Sequence, residues 1–293
     1  MERGPQPHGV PTGVGLNAVG AAAVRAAESR RGDRLFDDQL AAAFVAAAGR
    51  PWRFPAKDEA AAAPFWTTIT AALVVRTRFF DEFLAGAYAT GIRQFVVLAA
   101  GLDTRAYRLS WPRGARLWEL ELPDVLAFKE QVLTAMGAVP NCQRLALRTD
   151  LRGDWRATLG RAGFRPGLPT AWLAEGLLIY LTPEENDRLL AQISGLSAPR
   201  SRLGLSVSSH AVLESQSKHA ALDALGDYSA RVGSRWRSGF VEEPGDWLRQ
   251  HGWRSHAYDP AERAAVYGRP VEGLCDPQTG SGIGWLVVAE HGR

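Results

Sequence analysis

Phe95-Val96-Val97-Leu98-Ala99-Ala100-Gly101-Leu102-Asp103-Thr104-Arg105 decides the fold. Phe95 to Ala100 is apolar throughout, the pattern of a short strand buried on both faces. Gly101 follows at its carboxyl end, where open α/β sheets bind ligands. Outward from there, Arg116 to Glu121 reads as a second strand stopped by Pro123, and Pro123 to Met136 as a helix with Asp124 in its first turn. Gln143 to Arg148 is a third strand, with a short helix near Trp155 after it; Thr170 to Glu175 is a fourth and Leu203 to Val207 a fifth. Thr182-Pro183-Glu184-Glu185 starts a helix running to about Ser197: Thr caps, Pro sits first and Glu complements the dipole. Asp246 to His251 predicts a short helix stopped by Gly252; Trp253 to Tyr258 and Gly284 to Ala289 predict two more strands, forming a hairpin-like edge. Strands alternating with helices at these intervals mean βαβ units and a mostly parallel sheet.

Before this region the pattern is helical. Leu16 to Arg31 is Ala-rich. Asp38 to Ala48 predicts a second helix, with Asp37 as cap and Gly49-Arg50-Pro51 as stop. Arg50 to Pro64 carries three prolines and reads as a loop, and Phe65 to Thr90 as one long helix closed by Gly91. Ser208 to Gly245 has no clean period; such an insertion is usually a lid or binding segment. The expected fold is α/β, a doubly wound, seven-stranded, mostly parallel sheet. Residues 1–12 form a flexible tail, 13–90 an N-terminal helical cap, and 91–293 the ligand-binding domain with a lid-like insertion at 208–245.

Composition narrows the function. The 293 residues, 46% apolar and 22% charged, suit one large domain or two small ones and exclude a disordered chain. A formal charge of +3 from 34 basic and 31 acidic residues is too balanced to argue for nucleic acid. Cys142 and Cys275 are the only cysteines, too few for a disulfide framework or a thiolate zinc site, and the six histidines lack ligand spacing, so no metal is expected. No apolar run reaches the ~18 residues of a membrane span, and Met1 to Gly13 lacks the apolar segment of a secretory signal. A cytoplasmic protein with no membrane partner is expected. No G-x-S-x-G motif points to a hydrolase.

Glu121 lies 20 residues beyond Gly101, at the end of the second strand. A carboxylate there can accept hydrogen bonds from both hydroxyls of a ribose. A dinucleotide would need several bare backbone amides for its pyrophosphate, and G-x-G-x-x-G is absent. One glycine followed by Asp103 fits a ligand without phosphates, such as S-adenosylmethionine.

Several ordered stretches carry a resemblance: GIRQFVVLAAGLDTRAYRL, ELELPDVLAFK, TDLRGDW and TAWLAEGLLIYLT, with AVRAAESRRGDRLFDDQLA and VRTRFFDEFL before them. Together they resemble bacterial S-adenosylmethionine-dependent methyltransferases related to leucine carboxyl methyltransferase, which include actinobacterial polyketide O-methyltransferases. The resemblance runs from about Gly13 to Ser201 and continues in the HGWR and YGRP stretches. It implies that Gly101 and Asp103 form the cofactor loop and Glu121 holds the ribose. It implies further that Asp150 and Leu151 meet the adenine, that Arg76 pairs with the cofactor carboxylate (Arg78 being the neighbouring alternative), that Glu175 lies beside the methionine portion, and that Tyr180 faces the substrate. The family often has Gly where Ala99 stands.

The expected activity is methyl transfer from S-adenosylmethionine to an oxygen of a small molecule, for example a polyketide or other secondary metabolite, leaving S-adenosylhomocysteine. A carboxylate acceptor, ionised at neutral pH, needs no base; a phenol would want one. His210, just after the fifth strand, is the candidate base, with Tyr180 as the other catalytic candidate. Phe65, Trp66, Trp236 and Phe240 could wall an apolar acceptor pocket. Two alternatives stay open: a methyltransferase fold using the bound sulfonium only as a fixed charge, and a non-catalytic binding protein. A nicotinamide dehydrogenase is opposed by the missing glycines.

Overall fold

The structure, a computed structural model, describes residues 9–11, 15–49, 58–211, 236–271, 274 and 283–292. Three helices come first: α1 Gly15–Ser29, α2 Ala41–Ala48 and α3 Glu59–Ala89. There follow β1 Gln94–Leu98, α4 Arg105–Arg108, β2 Arg116–Glu121, α5 Pro123–Ala135, β3 Gln143–Arg148, α6 Trp155–Arg161 and β4 Thr170–Ala174. A 3-10 turn at Leu178–Tyr180 leads to α7 Pro183–Gly195, β5 Arg202–Ser208, α8 Gly245–Gln250, β6 Trp253–Tyr258, α9 Pro260–Val266 and β7 Gly284–His291.

The seven strands form one sheet in the order β3-β2-β1-β4-β5-β7-β6. β1 to β5 pair in parallel, and β7 runs antiparallel to both its neighbours. The expected seven-stranded, mostly parallel sheet is therefore present. Winding outward from β1 to β3 and then back to β4 leaves a switch point between β1 and β4, where such sheets form a crevice. β1 and β4 are buried along their whole length because both faces are covered. Val96, Leu98, Trp118 and Trp172 pack with Trp155 and Leu159 of α6 and Leu189 and Ile193 of α7. On the other face, Phe95, Val97, Leu117 and Leu173 pack with Phe80, Phe83 and Leu84 of α3. α3 comes so close to β5 that a Cβ on Gly204 would stand 2.9 Å from the Phe83 ring, so only glycine fits. Lys129 of α5, fully buried, ion-pairs at 2.6 Å with Glu119 of β2, which also meets Arg144 of β3 at 2.7 Å. At the cap, α1 and α2 close with α5 around Val19, Phe44, Leu102 and Phe128.

Several sequence expectations need correction. α3 begins at Glu59, so residues 59–64, read as loop, are helical. Pro64 forfeits a hydrogen bond only near the helix's amino end, and the alanines at 60–63 have the highest helix propensity of any residue. Asp38, not Asp37, serves the start of α2, its Oδ1 accepting the Ala41 N–H at 3.1 Å. β6 and β7 pair antiparallel, but α9 lies between them in the chain and β7 sits between β5 and β6. Pro11, placed in the tail, is buried. Residues 1–8, 12 and 212–235, the rest of the tail and most of the insertion, lie outside the described residues.

The turn leaving β1 holds two residues in the left-handed region, Ala99 at φ 50° and Gly101 at φ 48°. Glycine adopts this conformation freely, whereas an L side chain costs ~1–2 kcal/mol. We expect Ala99→Gly to leave stability unchanged or raise it by up to ~1 kcal/mol, the relief being offset by glycine's larger unfolded-state entropy. Ala99→Val, β-branched at a positive φ, is expected to lower it by at least ~1–2 kcal/mol. Urea denaturation of the three proteins checks both.

Candidate functional site

At the carboxyl ends of β1, β2 and β4, under α1 and α3, lies a cavity of about 710 Å³. The turn after β1 forms its floor. The Glu121 carboxylate, at the end of β2, holds that turn in place: Oε2 accepts the Gly101 N–H and Oε1 the Leu122 N–H, each at 2.6 Å. Each oxygen keeps a further lone pair, so the carboxylate could still take two hydroxyls of a diol. Burial raises the Glu121 carboxyl above its ordinary value, and the two amides oppose that rise.

α1 lies directly over the turn. A Cβ on Gly101 would stand 3.2 Å from the Ala18 methyl. Arg25 of α1 donates to the Leu102 carbonyl and to Asp38, both at 2.7 Å. The cap thus forms one wall of the cavity.

A charged cluster occupies the middle. Asp103, from the turn, and Glu175, immediately after β4, both contact the Arg105 guanidinium, at 2.5 and 2.8 Å. Arg105 also meets Asp81 of α3 at 2.7 Å, and its side chain is 4% exposed. Asp81 in turn accepts from Arg108, and Arg76 of α3 donates through Nε to Glu175 at 2.8 Å. Three guanidinium groups therefore face three carboxylates. Burial works against ionisation at Asp103, but Arg105 and then Lys129 outweigh it and hold the carboxyl well below its usual range. Glu175 is likewise held low against its burial by Arg105 and Arg76. Arg105 stays charged because Asp103, Glu175 and Asp81 overcome its desolvation.

Asp150 and Leu151, in the loop after β3, line another part of the cavity. Asp150 accepts from the Arg152 guanidinium at 2.6 Å, which lowers its pKa. Tyr180, Trp66 and Trp236 also line the cavity, with Ile69, Leu73 and Ile179.

The structure thus brings Arg76, Gly101, Asp103, Glu121, Asp150, Leu151, Glu175, Tyr180, Trp66 and Trp236 to one cavity. Arg78 is not among its lining residues; it pairs with Glu82 one helical turn on, at 2.9 Å. His210, the candidate base, is exposed and off the cavity, because β5 ends two residues earlier and its backbone N–H turns to the Phe240 carbonyl. Phe65 and Phe240 are also off the lining. Phe65 precedes Trp66 on the helix and therefore faces another way, while Phe240 stacks against Trp247 with ring centroids 5.2 Å apart. Sequence reading missed Arg105, Asp81, Arg25 and Asn17. A charge at Asp81 directly after Phe79-Phe80 was the one local signal; its partner Arg105 is 24 residues away.

The depressed carboxyls set a sign for acid stability. Their folded-state values lie below the unfolded value of ~4, so their stabilisation is complete above that value and lost as pH falls through the folded range. Glu121, shifted upward, has the opposite sign and softens the loss. We expect unfolding free energy to fall below about pH 4, and the fall to be shallower in an Asp103→Asn variant. Urea titrations at stepped pH check this.

Residues 18–194 match the leucine carboxyl methyltransferase family. A Streptomyces coelicolor protein named for S-adenosyl-L-methionine-dependent methyl transfer is 44% identical over 280 residues, 95% of this chain and 96% of that one. A Saccharopolyspora erythraea protein with the same name is 46% identical over 284 residues, 96% of both chains. Among solved structures, a Thermobifida fusca protein described as a methyltransferase shares the fold with a TM-score of 0.55 at 20% identity, covering 94% of each chain. A sheet with its crevice at the β1–β4 switch point and a sequence matched over most of its length lead to one conclusion: the chain belongs to the leucine carboxyl methyltransferase family, among its S-adenosylmethionine-dependent methyltransferases.

Proposed function

We propose that this protein is an O-methyltransferase whose acceptor is the carboxylate of a small, largely apolar molecule. The observation that carries the reading is the make-up of the cavity. It combines a neutral cluster of charges with an apolar wall of Trp66, Trp236, Ile69 and Ile179, and among the described residues no histidine lines it.

The residues fit S-adenosylmethionine. Glu121, with a lone pair left on each oxygen, suits the ribose diol. Asp150 and Leu151 suit the adenine, the carboxylate accepting from its amine. Glu175 and Asp103 suit the ammonium of the amino-acid tail. Arg76 uses only Nε on Glu175, which leaves its outer nitrogens for the carboxylate of that tail. When bound, S-adenosylmethionine supplies a sulfonium methyl, which passes to the acceptor oxygen as the carbon–sulfur bond breaks and its electron pair stays on sulfur.

The protein's own part is alignment and exclusion of water. An acceptor carboxylate and the sulfonium cancel their charges as they react, so a dry wall favours the transition state over the separated ions. Trp66, 2% exposed, and Trp236 supply such a wall. Tyr180 keeps its proton because burial raises its pKa, so it acts as a hydrogen-bond donor. A polyketide or other secondary metabolite bearing a carboxylate would fit this pocket chemically.

Two experiments test the reading. Calorimetry with S-adenosylhomocysteine should show Glu121→Ala weakening binding by ~1.5–3 kcal/mol, the range for a hydrogen bond to a charged group. Arg76→Lys should also weaken it, because an ammonium cannot reproduce the planar fork, whereas Arg78→Lys should not. Once an acceptor is in hand, turnover should be flat from about pH 6 to 9 and survive His210→Ala. A rate rising through about 6.5 and lost in His210→Ala would instead mean a histidine base and a hydroxyl acceptor.

A further inference from the structure

Asn17 of α1 donates from Nδ2 to the Tyr180 hydroxyl oxygen at 2.5 Å, across 163 residues of sequence. The Trp236 indole lines the same cavity, its nitrogen buried and without a hydrogen-bond partner. A phenol has two acceptor lone pairs and one proton. With the Asn17 N–H on one lone pair, the proton points away from Asn17, and among the described residues no acceptor meets it. All three side chains line the cavity.

We propose that Asn17 is a positioning residue that turns the Tyr180 proton toward the methyl acceptor, so that the pocket selects an acceptor presenting oxygen lone pairs and rejects one presenting N–H. This rests on the carboxylate reading above and deepens it by naming what enforces the choice. A fixed donor rewards a carboxylate oxygen and meets an amine hydrogen head-on. Burial keeps the phenol protonated at neutral pH, so it serves as donor rather than base. Asn17 reaches the hydroxyl from α1, so the donor is aimed only when α1 is in place.

The test uses 2-naphthoate and 2-naphthylamine, two probes with one ring system and opposite hydrogen-bonding groups, titrated into the full chain saturated with S-adenosylhomocysteine. Wild type is expected to prefer 2-naphthoate by on the order of tenfold or more. Tyr180→Phe and Asn17→Leu are each expected to bring the ratio toward unity. Asn17→Leu should have no further effect in the Tyr180→Phe background, because it acts through that hydroxyl. S-adenosylhomocysteine binding shows that each variant is folded; should Asn17→Leu fail it, Asn17→Ala takes its place in the same cycle. A wild-type preference for 2-naphthoate that neither variant alters, or effects that simply add, would overturn the inference and leave the carboxylate reading standing. A wild-type preference for 2-naphthylamine would overturn both.

Discussion

The Arg105 guanidinium, 4% exposed and in contact with Asp81, Asp103 and Glu175, is the constraint on which the rest of the site depends. A charge removed from water costs several kcal/mol unless it is paired and hydrogen-bonded, and removing one partner leaves the others uncompensated. Its three carboxylates come from α3, from the turn after β1 and from the end of β4, so these elements must meet at one point. The pairing therefore holds the long cap helix against the carboxyl edge of the sheet. It also keeps Asp103 and Glu175 ionised where a cationic group would be recognised.

The cap shapes the cavity as much as the sheet does. Ala18 lies over Gly101, Arg25 binds the Leu102 carbonyl and Asn17 reaches Tyr180. Small residues along α1 allow this approach. The apolar surface of Trp66, on α3, faces the same space. α3 serves both parts, carrying Arg76 and Asp81 of the charged cluster and Trp66 and Ile69 of the apolar wall, while α1 covers the turn.

Much of this was legible in the sequence because it is local. The apolar runs of β1 and β4, the helix start at Thr182-Pro183 and the turn glycine at 101 are each written in a few adjacent residues. Glu121 stands out because strand length and helix length fix its separation from Gly101. Pro64 misled for the same reason, a local rule applied where neighbouring alanines outweighed it. Phe65, Phe240 and His210 were sound as residue types for their proposed tasks. Which way each faces depends on helix phase and on where β5 ends, and neither is visible in composition.

The amino-acid sequence by itself determined the α/β architecture and the strand and glycine that make the turn, because periodicity and turn chemistry act over a few residues. Only the tertiary structure decided which charges are partners. Arg105 joins Asp81 across 24 residues and Asn17 joins Tyr180 across 163. Such pairs form where packing excludes water and an unpaired charge or hydroxyl would be costly. That condition is set by how the cap lies on the sheet, and no short stretch of the chain encodes it.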